Sequence, residues 1–174
     1  MGGRQESAWG AEIARLLLRA VVGGTIVAHG VRHARTLDGT AGWFGSIGFR
    51  QPRLQARTSA VVEIGAGAAL VAGAGTPLAA AAVVGTMVVA ARSVHVPNGF
   101  FVIAEGYEYV LNLASAAVAV AGLGPGRFSV DRALGVDSRL HGAGAAALAA
   151  GLGAAGAAAQ LSVFWRKPVP REAA

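Results

Sequence analysis

The chain has 174 residues, 54% of them hydrophobic and only 14% charged, with a mean hydropathy of +0.53, a balance well away from that of a soluble protein. Its net charge is +6, but the fifteen Lys and Arg lie mainly in and beside the gaps between apolar runs. Membrane topology accounts for them there, and with no binding motif beside the charge, nucleic acid is excluded as a partner. There is no cysteine, which excludes disulfides, CxxC redox chemistry, thiolate metal sites and c-type haem attachment, and leaves the compartment open.

A membrane-spanning helix needs about 20 mostly apolar residues. Five segments qualify: 12–34, 58–75, 77–96, 102–123 and 141–165. The first follows a basic N-terminus without an A-x-A site, and further apolar runs follow it, so it reads as a spanning helix and not a cleaved signal. Residues 35–57 carry Arg35, Arg50, Arg53 and Arg57 with Trp43, Phe44 and Phe49, the composition of a basic amphipathic segment lying at the headgroup level. Segments two and three are separated only by Ala-Gly-Thr-Pro around Pro77 and should form a tight antiparallel pair. Pro97-Asn98-Gly99 marks a second turn, between segments three and four. Residues 124–140, GPGRFSVDRALGVDSRL, form a mixed-charge exposed connector. The last segment is low in complexity and rich in Ala and Gly, with the small-xxx-small spacing that permits close docking on the bundle or on another subunit. Trp165, Arg166 and Lys167 make an interfacial end. The expected fold is an all-α polytopic membrane helix bundle.

With the N-terminal end of the bundle called A and the opposite end B, four alternating helices carry most ionisable groups toward end B. These are His29, Arg32 and His33 on the first, Glu63 on the second, Arg92 and His95 on the third, and Glu105 and Glu108 on the fourth. Helical phase puts Glu105, Glu108, Tyr109 and Asn112 on one face, and Arg15, Arg19, His29 and His33 on one stripe of the first helix. A charge at mid-membrane costs at least about 2.5–3.5 kcal/mol, so Glu63 and Arg19 should find partners or a wet cavity. Two readings stay open. Internal pairs such as Arg19 with Glu63, or Arg92 with Glu105 and Glu108, would orient weak helices; alternatively, a polar pocket opens toward end B. His29 and His33 have metal-ligand spacing, and His29 with His95 could clamp a haem, but both read more simply as hydrogen-bonded histidines and no metal site is assigned. Placing end B in the cytoplasm leaves nine basic residues inside, Arg171 among them, against six outside.

Over residues 12–131 the chain resembles the DoxX family of small bacterial membrane proteins. The features that carry the likeness are Arg19, His29-Gly30-Val31-Arg32-His33, Glu63-Ile64-Gly65, the Met87 to His95 helix end with Gly99-Phe100, Gly106-Tyr107-Glu108-Tyr109, and GPGRFSVD at 124–131. His33 stands where the family commonly has Lys, which makes any cation there dependent on pH. The resemblance implies a four-helix core over residues 1–131, with residues 132–174 adding a connector, a fifth Ala/Gly-rich helix and a basic tail. It also implies the plasma membrane of a bacterium, a role in redox systems and partner proteins in a membrane-associated redox assembly. A relative with the same core is the membrane subunit of a thiosulfate:quinone oxidoreductase, and mycobacterial members are linked to superoxide dismutase and a thiosulfate sulfurtransferase. Quinone is the cofactor implied.

The candidate polar site is Arg19, His29, Glu63, Arg92, His95, Glu105, Glu108 and Tyr109, with no catalytic role assigned to any of them. For quinone reduction, His95, Glu105 and Glu108 would carry protons while Arg19 or Arg92 stabilises charge on a quinone oxygen. The rivals are a non-catalytic membrane scaffold and a small-anion carrier, the latter disfavoured by the absence of a visible inverted repeat.

Overall fold

A computed structural model describes residues 2–139 and 141–168, with side chains from residue 8. Arg171, counted above with end B, and the rest of the tail from residue 169 lie outside the described residues. The protein is helical: α1 Gly2–Arg35, α2 Leu37–Ser46, α3 Pro52–Ala72, α4 Thr76–Ala90, α5 Glu108–Leu123, α6 Val130–Ala133 and α7 Gly142–Phe164. The five long helices run in alternating directions, and the core lies where α4 meets α3, α5 and α7. Thr76–Asn98 and Gly142–Phe164 are long and apolar enough to cross a membrane, and α5 is a shorter apolar helix.

Small residues set the packing. At Gly23 on α1, an added Cβ would lie 2.6 Å from the Gly67 carbonyl oxygen of α3, and one at Gly67 would lie 2.6 Å from that of Gly23. The two backbones therefore touch directly, the arrangement glycine permits between helices in lipid. α7 uses the same device on α4: a Cβ at Gly153 would come within 2.7 Å of the Ala81 carbonyl oxygen. Within this chain, the small-residue segment thus docks on the bundle itself.

The tight α3–α4 pair forms as expected, with Gly73 in the left-handed region at φ +66° closing α3. Arg19 holds this turn. Only 2% exposed, its guanidinium donates to the carbonyl oxygens of Leu70 (2.9 Å) and Val71 (2.6 Å) at the end of α3, and to those of Pro125 (2.5 Å) and Phe128 (2.9 Å) after α5. The last carbonyls of a helix have no intrahelical donor, and a cation there also opposes the negative end of the helix dipole. Asp131 completes the knot from the other side, accepting from the backbone N–H of Gly75 (2.7 Å) and Thr76 (3.0 Å) at the start of α4. The expected Arg19–Glu63 contact does not form, because α1 and α3 are antiparallel and Glu63 packs near Gly30, two turns or more from Arg19.

Two connectors differ from expectation. The fourth long helix begins at Glu108, not near 102, so Glu105 does not share its face. Pro97-Asn98-Gly99 ends the helical turns that continue α4, Glu105 adopts φ +59°, and the Glu108 carboxylate turns back to accept from the Val102 N–H at 2.9 Å. The intervening apolar residues form a projecting loop in which Ile103 is 94% exposed. Residues 35–57 do not simply lie on a surface: α2 and the following loop fold over the bundle, burying Phe44 and Phe49 beside Trp165.

Gly67→Val is expected to destabilise the protein by about 1–3 kcal/mol through forced separation of α1 and α3, while Gly65→Ala, which meets open space, is neutral; thermal unfolding in detergent followed by the helical signal tests both. Arg19→Met should cost more, at about 1–3 kcal/mol for each buried acceptor left without a donor.

Candidate functional site

At end B the helices do not close on one another. A cavity of about 290 Å³ remains, bounded by Ile26, His29 and His33 of α1, Ser59 and Glu63 of α3, Met87 and Ala90 of α4, and Tyr109, Val110 and Leu113 of α5. Trp43, Phe44, Ile47 and Phe49 roof it. Its walls are mainly apolar, with polar groups concentrated on a few positions. Helical phase explains the set: 26, 29 and 33 recur on one face of α1, 59 and 63 on one face of α3, and 109, 110 and 113 on one face of α5.

The chemistry centres on Glu63, which is 3% exposed. Ser59, one turn earlier on α3, donates its hydroxyl proton to Glu63 Oε1. His33 Nδ1 stands 3.3 Å from Ser59 Oγ and 3.4 Å from Glu63 Oε1. A hydroxyl has one proton to give, so with Ser59 committed to the carboxyl group, its oxygen accepts from His33. The result is a line from His33 through Ser59 to Glu63. The other carboxyl oxygen, Oε2, is buried and has no hydrogen-bond partner in the protein. Stranding such a group costs about 1–3 kcal/mol or more, so an orphaned carboxyl oxygen beside a cavity marks where a ligand or solvent atom is required.

His95 reaches the same cavity from a five-residue π turn, Ala91–His95, which extends α4. Such turns recur at functional sites. Its Nδ1 lies 2.6 Å from the Glu105 carbonyl oxygen and therefore carries the proton, leaving Nε2 as the acceptor of the neutral ring. His29 and Tyr109, both exposed, face each other across the rim with ring centroids 6.3 Å apart.

The roof is latched. Trp165 Nε1 donates to the Ile47 carbonyl (2.8 Å), Arg50 N to that of Phe164 (2.7 Å) and Arg166 N to that of Gly48 (3.0 Å). Gln160 bonds Gln55 at 2.8 Å. Outside it, Arg53 pairs with Asp38 at 2.5 Å, joining α3 to α2. That hydrogen bond and charge hold the Asp38 carboxyl below its ordinary range and the Arg53 guanidinium above its own.

Of the eight candidate residues, His29, Glu63, His95 and Tyr109 line the cavity. Arg19 sits at end A in the knot described above. Arg92 lies over the Trp165 ring, 4.7 Å from its centroid, and makes no ion pair with Glu105 or Glu108. The Glu105 backbone, not its carboxylate, serves His95, and the Glu108 carboxylate caps the 99–107 loop. Sequence reasoning missed Ser59, although its place four residues before Glu63 was a usable signal. It noticed His33 without assigning it a role. A second cleft of about 290 Å³ at end A holds charges that are already paired, Arg15 with Glu12 and Arg132 with Asp137.

Residues 14–96, just under half of the chain, match the DoxX family model. Over this segment the chain is similar to the DoxX family. That family is membrane-associated, and Thr76–Asn98 and Gly142–Phe164 are long and apolar enough to cross a bilayer, in keeping with it. The matched segment includes Arg19, His29, His33, Ser59, Glu63 and His95, and ends before Tyr109 and the 124–131 loop. Comparison with curated proteins found no match, and neither did comparison with solved structures.

The Asp38–Arg53 pair predicts a pH response in the roof. Since the folded state lowers the Asp38 pKa, its contribution is complete above the unfolded value of about 3.9 and is lost as the pH falls through the lower folded value. Trp43 emission on acid titration should report loosening of α2 in that range, and Asp38→Asn should show the loosened signal already at neutral pH.

Proposed function

We propose that this DoxX protein is a multi-pass subunit of a redox system in the bacterial plasma membrane, and that its end-B cavity holds the head of a quinone. The observation that carries this reading is Glu63 Oε2, a buried carboxyl oxygen without a protein partner at the wall of an otherwise apolar cavity.

The residues present suit such a group. Phe44, Met87, Val110 and Leu113 offer apolar walls for a ring, and Glu63 offers one polar contact at its edge. At about 290 Å³, the space is at the lower end of ligand pockets, which span about 300–1,000 Å³, so it suits a ring and not a whole tailed molecule. A bound quinone takes up two electrons and two protons on conversion to the quinol. The protein's part is to hold the head, exclude water beneath the aromatic roof and deliver protons. Glu63 would hold the head through Oε2, and the line from His33 through Ser59 would replace a proton given up by Glu63. His29, His95 and Tyr109 are the remaining proton-bearing groups on the cavity wall. Arg19, Arg92, Glu105 and Glu108 lie outside this path and have no part in charge stabilisation or proton transfer in it. With no thiol of its own, the chain depends on a partner protein or a sulfur substrate for electrons. Residues 1–131 then form the redox core, and residues 132–174 supply α7, which fastens its roof.

Positioned acids and bases contribute about 10²–10⁴-fold to proton-transfer steps, so Glu63→Gln should lower quinone-dependent turnover about a hundredfold, with a smaller change in KM. The measurement is quinone reduction by the complex purified in mild detergent, with its bound small molecules identified. A complex lacking quinone and any quinone-dependent activity would sink the reading. Full turnover in a Glu63→Gln protein that assembles normally would assign the polar line to structure and favour a scaffold.

A further inference from the structure

We infer that the cavity is loaded sideways from the bilayer, between α1 and α5, by a ligand with a polar head for Glu63 and an apolar tail that stays in the gap between the two helices. This rests on the membrane placement in the proposed function, but not on redox chemistry.

Three observations point to that route. The roof is fastened at end B by the Trp165, Arg50 and Arg166 hydrogen bonds to the neighbouring loop, so entry from the aqueous side requires several of them to break together. At the opposite end α1 and α5 are tied, Arg15 Nε donating to the Leu123 carbonyl at 3.1 Å. At the level of the cavity, by contrast, no hydrogen bond joins α1 to α5 among the described residues. The His29 and Tyr109 rings face each other there, 6.3 Å apart, and both are exposed at the rim while lining the interior. Two side chains that can rotate are a far smaller barrier than a backbone latch. Behind them stands the buried, unpartnered Oε2 of Glu63. A head that fills the cavity leaves no room for a long tail, so the tail must leave by the same opening, where lipid accepts it at no cost in exposed apolar surface.

The test uses the full chain in lipid nanodiscs and the fluorescence of Trp43 at the cavity roof, taken as the signal absent from Trp43→Phe. The probes are a decyl benzoquinone, a benzoquinone with methyl in place of decyl, and a brominated decyl phenol that quenches tryptophan and accepts no electrons. Both tailed probes should quench saturably, and the methyl analogue should bind at least tenfold more weakly. Glu63→Leu should weaken the tailed probes at least tenfold without shifting the thermal midpoint downward. Since the chain has no native cysteine, His29→Cys with Tyr109→Cys can be bridged by a short thiol cross-linker; bridging should slow the onset of quenching at least tenfold relative to the unbridged protein. Tyr109→Ala, which widens the opening, should speed it.

Equal onset with and without the bridge overturns the route, as does a block by Val62→Trp on the α3 side where the bridge has no effect. Equal affinity of the tailed and tail-less quinones overturns the tail. Unchanged affinity in Glu63→Leu overturns the head contact. Phenol binding with the expected Glu63 and bridge dependence, but no quinone binding, upholds lateral loading while removing the quinone from the proposed function. Normal quinone loading with no quinone-dependent electron transfer upholds lateral loading and the quinone in the cavity, and removes the redox role from the proposed function.

Discussion

The Arg19 guanidinium ties together, at end A, the end of α3 and the chain that leaves α5. α3 ends there, α4 begins there, and the chain leaving α5 passes there. Each brings backbone groups that a helix or loop cannot satisfy internally. One planar cation with five donors meets four carbonyls at once, and Asp131 answers the N–H groups of the α4 start. Lysine would not substitute, since an ammonium is a point charge without the fork needed to span carbonyls on two segments. With end A pinned, the positions of α3 and α4 relative to α1 follow from the Gly23–Gly67 contact and the short turn between them.

This pinning divides the polar residues into two populations. At end A the buried groups are paired: Glu12 accepts from Arg15 and from the Arg127 N–H, and every side-chain nitrogen of Arg19 and oxygen of Asp131 has a partner. At end B, Glu63 is half used. If both ends were merely devices for orienting weakly apolar helices, Oε2 would be expected to carry a partner as well, because a part-satisfied buried network costs more than an apolar replacement. The imbalance sets the paired groups of end A apart from the candidate site at end B.

The helices, their alternation and the gathering of His29, Glu63 and His95 at one end were legible in the sequence because apolar length and helical phase are local properties. What could not be read was which polar groups face each other across helices. Arg19 and Glu63 looked like partners by charge alone, yet an antiparallel crossing fixed by Gly23 and Gly67 sets them at opposite levels. Arg19 instead finds carbonyl oxygens, and backbone acceptors carry no residue label. The 99–107 loop escaped for a related reason: its apolar composition reads as helix, while its conformation depends on Glu105 in the left-handed region and on the Glu108 carboxylate folding back. The segment 35–57 has the composition of a surface helix, and only its contact with Trp165, more than a hundred residues later, turns it into a roof.

That long-range contact also gives the fifth helix a place in the design. The family match ends at Val96, and within it lie Glu63, Ser59 and His33, but not the whole cavity wall. Tyr109, Val110 and Leu113 come from α5, and the roof is held by the end of α7. An Ala- and Gly-rich helix can approach α4 closely along its whole length because it has little side chain to accommodate, as at Gly153. Such a helix gains little from side-chain burial, so its position depends on its ends. At end B the Trp165 indole packs with Phe49, carries Arg92 over its face and donates to Ile47. The same ring therefore terminates α7 and closes the cavity, and any rearrangement of the roof must be transmitted to the helix that fastens it.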